Sequence, residues 1–158
     1  MRRIARQGLE AAPEDLRTRL RQPLPADAIA ALDRGLIQGH CGRIGAATVA
    51  RMREAQAARD LAMADAMLKA RAGGARAVVL IAGNGHVRRD HGVPLWLARG
   101  EPAARIVSVG FLEVGPGGEA PSAAERSVYD LVWITPRTER DDPCLAFPPE
   151  PALKPHSP

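Results

Sequence analysis

The pattern of apolar and polar residues predicts a helical first half of the chain. Residues 2–21 are predicted to form one or two basic helices, broken near Ala12-Pro13, and apolar residues at helical spacing predict another over about 25–36. A longer helix is predicted over about 46–71, because this stretch has no Gly or Pro and is rich in Ala, Met, Arg and Glu. Gly73-Gly74 then ends it.

Unbroken apolar runs in the second half predict strands. Residues 77–82 and 105–114 are apolar enough to be buried strands, and 128–134 is predicted to be a third. The connecting segments are predicted to be a short helix at Pro94–Arg99, an exposed loop at 115–124 and an extended, proline-rich tail from Pro136. The order of these elements indicates an α/β fold, with a small, mainly parallel sheet flanked by helices.

A glycine-rich turn and a polar cluster follow the first predicted strand. The turn is Gly83-Asn84-Gly85, and after it come His86 and the run Arg88-Arg89-Asp90-His91. Ligands of open α/β sheets bind at the carboxyl ends of strands, so this position predicts a binding site. A neutral imidazole can coordinate iron, and arginine can pair with acidic groups of a cofactor. The alternative is a solvated loop whose histidines have no chemical role.

The long predicted helix carries polar residues along its apolar stripe. Val49 and Met63 belong to the stripe, and Gln56 lies in its middle. Asp60 lies on the edge, with Arg59 on the other flank. Burying an unpaired polar group costs about 1–3 kcal/mol, so Gln56 and Asp60 need partners. They are predicted either to satisfy the backbone of a neighbouring loop or to point at the glycine-rich turn.

Composition and charge narrow the class of protein. With 158 residues, 46% of them apolar, the chain suits one domain, and aromatic residues are scarce at 3%. Basic residues crowd the first 21 positions; we interpret them as the solvated face of a helix rather than a nucleic-acid-binding arm, because acidic residues interrupt them. The sequence has no apolar run long enough to span a membrane and no visible signal peptide, which as written predicts a cytoplasmic chain.

Several common kinds of site lack their motifs. No Ser or Cys lies in a GxSxG elbow, the glycines do not match GxGxxG, and a phosphate loop would need a Lys and a hydroxyl that are missing. Cys41 and Cys144 have no zinc-type spacing. They are expected to be free thiols in a cytoplasmic setting, and one disulfide becomes possible in an oxidising one.

Five ordered motifs resemble the ChaN family of haem-binding uptake proteins, in the Tiki superfamily. They are GHCG (39–42), AQAARDLAMADAM (55–67), IAGNGHVRRDHGVPLWLAR (81–99), SVGFLEV (108–114) and YDLVWITPRTERDDPCLAF (129–147). The resemblance implies an α/β fold and haem binding for iron acquisition. It also implies a lipoprotein-related, cell-envelope location and a homodimer around paired haems.

The resemblance also implies roles for single residues. Gly83-Asn84-Gly85-His86 is similar to the second GxxH motif of the superfamily, which makes His86 the leading candidate for contact with the iron or for a hydrogen bond at the haem. Family members often have tyrosines where this chain has Arg89, Asp90 and His91, so His91 is predicted either to replace a tyrosine ligand or to be a polar rim residue. The predicted haem-binding residues are Gln56, Arg59, Asp60, Asn84, Gly85, His86, Arg88, Arg89 and His91, with His86 and His91 as metal ligands.

One part of the family pattern has no counterpart here. Family members have an earlier βα portion with a GExH-type motif, so we expect an incomplete version of the fold: a C-terminal portion over 1–147 and a Pro-rich tail over 148–158. Cys41 and Cys144 occupy matching family positions, which implies a disulfide in the envelope. The alternatives to haem binding are a metal-dependent hydrolase of the Tiki or erythromycin-esterase type, and a non-functional fragment of a longer ChaN-like protein.

Overall fold

The structure, a computed structural model, describes residues 2–146. In that part of the chain the elements are α1 (Arg2–Gln7), α2 (Glu14–Leu20), α3 (Ala26–Gly39), α4 (Ala46–Ala72), α5 (Val93–Gly100), β1 (Val109–Glu113), α6 (Ala123–Arg126) and β2 (Leu131–Thr135). Single 3-10 turns lie at Leu9–Ala11, Asn84–His86 and Pro143–Ala146. The α/β fold class is confirmed, as is the break between the first two helices.

Helix α4 is the central element of the helical layer. Helices α1, α3 and α5 all pack against it. Its inner face is built from small residues, so that Ala58 and Ala64 are fully buried beside Leu61 and neighbouring helices come close. Trp96 of α5 fills part of the same core. The predicted long helix is therefore confirmed, and it ends at Gly73-Gly74, where Gly74 has a φ of +97°.

The sheet is smaller than predicted. Strands β1 and β2 pair in parallel, with Val109 opposite Leu131 and Phe111 opposite Trp133. The predicted strand over 77–82 is wrong, because within residues 2–146 this segment forms no ladder. Instead it lies beside β1 through the side chain of Asn84, which accepts from Phe111 N (3.1 Å) and donates to Phe111 O (2.5 Å).

Residues 77–82, β1 and β2 together form one layer. The prediction that its strands are buried is wrong for one face of this layer. Val79 and Ile81 are 84% and 94% exposed, whereas Leu80 and Ile106 pack against the helical core. In β1 the small residue Gly110 is buried and its large neighbour Phe111 is not. The physical reason is that helices cover only one side of the layer, and the described residues 2–146 place nothing on the other.

Two loops differ from their predicted conformations. The segment predicted as a loop over 115–124 leads into α6, whose first turn is closed by a capping box between Ser122 and Glu125. The tail predicted to be extended contains the 3-10 turn Pro143–Ala146, and there Cys144 forms a disulfide with Cys41. The predicted Pro-rich tail over 148–158 lies outside the described residues. None of the helices described within 2–146 is both long and apolar enough to cross a membrane.

Candidate functional site

The ring of His86 lies against helix α4, where two polar side chains contact the same ring nitrogen. Asp60 Oδ1 is 2.5 Å from His86 Nδ1, and Gln56 Nε2 is 2.8 Å from it. The Asp60 side chain is fully buried, while that of His86 is 20% exposed. Of the two predicted arrangements for Gln56 and Asp60, the structure has the one in which they point at the glycine-rich turn.

The loop backbone fixes the position of His86. A Cβ atom at Gly92 would lie 2.4 Å from the carbonyl oxygen of His86 and 2.7 Å from that of Arg88. Gly92 N also donates to Arg88 O at 2.9 Å, which folds the loop back on itself before α5 begins. Only a residue without a side chain permits so close an approach. The Asn84 side chain holds the other end of the turn on β1.

Burial and hydrogen bonding shift the pKa of Asp60 in opposite directions. Burial raises the pKa of Asp60 to about 6, although the hydrogen bond from His86 and the charges of His86, His91 and Arg59 lower it. Among residues 2–146, the second carboxylate oxygen, Oδ2, has no hydrogen-bond partner. Asp60 is therefore a destabilised carboxylate that, within residues 2–146, is hydrogen-bonded through Oδ1 to the His86 ring.

The contacts of Asp60 and Gln56 with His86 select different tautomers. Nδ1 carries at most one proton: it donates to an ionised Asp60, whereas it must be unprotonated to accept from the Gln56 amide. When Asp60 is ionised, the proton stays on Nδ1 and the lone pair of Nε2 is left for a ligand. A carboxylate that holds an imidazole in this way is a common feature of histidines that ligate metals.

A second cluster lies directly behind the loop. Arg88 donates to both oxygens of Asp90, from Nε at 3.0 Å and Nη2 at 2.6 Å. His91 is 3% exposed, and its Nδ1 is 3.1 Å from Asp90 Oδ1 but not in hydrogen-bond geometry. Although burial opposes it, interactions with His91 and Arg88 hold the pKa of Asp90 well below its ordinary value. The hydroxyl of Tyr129 donates to Asn84 O at 3.3 Å.

The predicted site residues thus divide into three groups. Gln56, Asp60 and His86 are in contact, with Arg59 Nη1 3.3 Å from Gln56 Oε1 at the exposed edge. Arg88 and His91 belong to the second cluster. Asn84 anchors the turn to β1, Gly85 has no atom within 4 Å of a Cβ built on it, and Arg89 pairs with Asp130 at 2.8 Å on the surface.

Three residues that support the site were not predicted. Gly92 directly follows His91, and a glycine at that position of a polar run was the available signal for close packing. Ser108 is buried; its hydroxyl donates to Val87 O, and its backbone N donates to Asp130 Oδ2 at 2.8 Å. The available signal for it was a polar residue flanked by valines inside the run 105–114. For Asp130, the signal was a charged residue inside the predicted strand 128–134.

A surface groove borders the turn on the side of Asn84. Its volume is about 610 Å³, and its lining includes Asn84, Phe111, Glu113, Glu119, Glu125 and Arg140. Glu113 is held by both terminal nitrogens of Arg140, at 3.0 and 2.7 Å. Over residues 2–146 no group of three or more His, Cys, Asp and Glu side chains is arranged to hold a metal ion. The groove thus borders the histidine site through Asn84.

Fold and site together define a small α/β protein with one carboxylate-bound histidine at the junction of a long helix and a sheet. The sequence profile of the family described as haem-binding uptake, Tiki superfamily, ChaN matches residues 1–97. The chain therefore belongs to the ChaN family, and a role in haem-binding uptake follows in general terms. No curated protein and no solved structure is significantly similar to the chain.

The matched region and the quoted motifs cover partly different parts of the chain. The matched region includes residues 1–38, which none of the quoted motifs covered, and therefore α1, α2 and most of α3. It also includes α4 and the turn that carries His86. The motifs quoted at 108–114 and 129–147 lie beyond it, so those two parts of the resemblance stay predictions.

Proposed function

We propose that this chain binds haem through His86, whose ring Nε2 would contact the iron. The observation that carries the proposal is the contact between His86 Nδ1 and the buried carboxylate of Asp60. This contact occupies one ring nitrogen and fixes the ring, while a fifth of the side chain stays open to solvent. Family membership supplies the ligand class, and the geometry favours His86 as the residue that meets it.

The surrounding residues suit haem as a ligand. When bound, haem supplies an iron that accepts a nitrogen ligand. The haem ring also carries two carboxylate side groups. Arg59 lies at the exposed edge beside Gln56, where its guanidinium could pair with one of those carboxylates. Arg88 is less suited, because Asp90 already takes two of its donors. His91 remains a predicted second ligand, and its burial means that the loop would have to open first.

The test is a haemin titration of the purified chain, followed by its Soret band. His86→Ala is expected to weaken binding by about tenfold or more, which corresponds to about 1.4 kcal/mol. The matched control is His40→Ala, since His40 lies in the α3–α4 turn with Nδ1 2.7 Å from Leu36 O. Haem binding at His86 would be disproved if wild type bound haemin no better than an unrelated basic protein, or if both variants bound like wild type.

We further propose that the chain serves iron or haem uptake in the cell envelope. The Cys41–Cys144 disulfide supports this location, because disulfides persist in oxidising compartments. A homodimer around paired haems is a further proposal from the resemblance. One haem per chain in the titration, together with a doubling of mass only after haemin is added, would support it.

Hydrolysis is the weaker alternative. A catalytic zinc site uses three protein ligands, and residues 2–146 hold no such group. Purified chain supplied with Zn²⁺ or Mn²⁺ is expected not to cleave ester or peptide substrates. Cleavage that is lost in His86→Ala would favour the hydrolase instead.

A further inference from the structure

The layer formed by residues 77–82, β1 and β2 has an apolar outer face. Six large side chains on it are more than half exposed: Val79, Ile81, Val107, Phe111, Leu131 and Trp133. We call these six the outer face. Isolated apolar side chains are common on protein surfaces, but a continuous patch of this kind usually marks an interaction site.

The alternation of side chains puts all six on one side. In the strands, Phe111 lies directly opposite Trp133, and Leu131 is two residues before Trp133. Along the neighbouring segments, Leu80 and Ile106 pack on the helical core, so the residues next to them point away from it. The outer face therefore runs across the whole layer, on the side opposite α4 and α5.

A parallel sheet with one open face is an incomplete arrangement. Parallel strands occur almost only in sheets that are covered on both sides. Here β1 and β2 are parallel, and helices cover the inner side alone within residues 2–146. The outer face thus needs a cover, and that cover must be apolar.

We infer that two copies of this chain associate through their outer faces. The two aromatic side chains, of roughly 150–250 Å² each, and the four smaller aliphatic ones offer on the order of 500–700 Å² at the exposures found here. A stable dimer typically buries about 800 Å² per partner, so one further copy matches the available area. Phe111 and Trp133 form an aromatic pair on this face, which is typical of the residues that dominate interface energies. A two-fold axis brings the same face of both copies together.

This inference goes beyond the proposed function, because it needs no haem. His86 and Asp60 lie on the helical side, so the outer-face dimer and the haem site use different residues. A dimer held by paired haems would form only after haemin is added. An outer-face dimer forms in haem-free protein, and this difference separates the two proposals.

The experiment is sedimentation analysis of the haem-free chain of residues 1–158 in a concentration series up to about 100 µM. Wild type is expected to be dimeric. Phe111→Glu is expected to raise the dimer dissociation constant at least about tenfold, because it buries a charge on each side of the axis. The matched control is Ile37→Glu, which changes an exposed apolar residue of α3 in the helical layer and should leave the dimer intact.

A measurement on wild type alone guards against variants that fail to fold. Trp133 is exposed and Trp96 is buried, so iodide quenching of fluorescence reports mainly on Trp133. Quenching is expected to fall as concentration rises through the dimer range. A chain that stays monomeric at the highest concentration overturns the inference. So does a dimer that appears only with haemin, that survives Phe111→Glu in folded protein, or that Ile37→Glu removes equally.

Discussion

The Asp60 side chain is enclosed between α4 and the loop that carries His86, with no exposure to solvent. Its carboxylate contacts one imidazole and little else that is polar, so the charged form is poorly solvated. The ionised form of Asp60 therefore lowers the stability of the fold, while its hydrogen bond orients the His86 ring. At the scale of single residues, the site combines this loss of stability with a fixed histidine.

The pH dependence of stability should show the cost of burying Asp60. Its pKa is about 6 in the folded chain against an ordinary value near 3.8, so between these values the folded state binds more protons than the unfolded state. Stability attributable to Asp60 therefore falls as pH rises from about 4 to 7, by roughly 2–3 kcal/mol in total. The lowering effects of His86, His91 and Arg59 are already contained in the pKa of about 6.

Haem-free wild type and Asp60→Asn should be compared by urea unfolding across that pH range. The stability difference, wild type minus variant, is expected to decrease steadily with pH. Groups that titrate in both proteins, such as Asp90, cancel in this difference. A difference that stays constant from pH 4 to 8 would contradict the assigned pKa.

The same substitution should weaken haem binding if Asp60 positions the ligand. Loss of a carboxylate behind a ligating histidine typically costs about 10–100-fold in affinity. The iron–histidine stretching band of the reduced complex should also move to lower frequency, because the imidazole becomes a weaker donor. Asp65→Asn is the control: Asp65 lies on the same helix but pairs with Arg19 at 2.7 Å. Identical spectra for wild type and Asp60→Asn would argue against a positioning role.

At the scale of elements, the sequence predicted the helices well but did not predict which strands pair. The bounds of α4 and α5 follow closely from propensity, glycine signals and spacing, which are local properties. Residues 77–82 have the composition of a strand, but a strand also needs a lateral partner, and composition says nothing of one. For the site, helical spacing put Gln56 and Asp60 together, whereas the close approach at Gly92 depends on how the loop folds in three dimensions.

Two glycines of the site loop should respond differently to an added methyl group. Gly92→Ala is expected to lower the free energy of unfolding by about 1–3 kcal/mol, because its Cβ would overlap the His86 and Arg88 carbonyls. Gly85→Ala, one residue before His86, meets no atom within 4 Å and should change stability by less than about 0.5 kcal/mol. Denaturant unfolding of both variants measures this; equal losses would contradict the described loop.

At the scale of the whole molecule, one covalent bond joins the helical layer to the end of the sheet. Cys41 lies in the α3–α4 turn with a φ of +57°, and Cys144 follows β2 by nine residues. The two are 103 residues apart in sequence and 5.6 Å apart between Cα atoms. The bond therefore encloses α4, the site loop, α5 and both strands.

Removal of this bond should cost stability mainly through the unfolded chain. In the chain-entropy model, a loop of this length contributes about 4–5 kcal/mol. The double variant Cys41→Ser/Cys144→Ser is expected to lose an amount of this order in denaturant unfolding. Reducing agent should destabilise wild type similarly and leave the double variant unchanged. If reducing agent left the denaturant midpoint of wild type unchanged, the disulfide would not contribute the expected stability.

Because the disulfide closes this loop, a single cut in the peptide backbone within the loop would not separate the two parts of the chain. Residues 101–105 form an exposed connection between α5 and the segment that leads to β1. A single cut after Arg105 would give pieces of residues 1–105 and 106–158, which Cys41 and Cys144 would still join. The protein could therefore exist as a two-chain molecule, cleaved between its helical and strand-forming parts, that separates only when the disulfide is reduced.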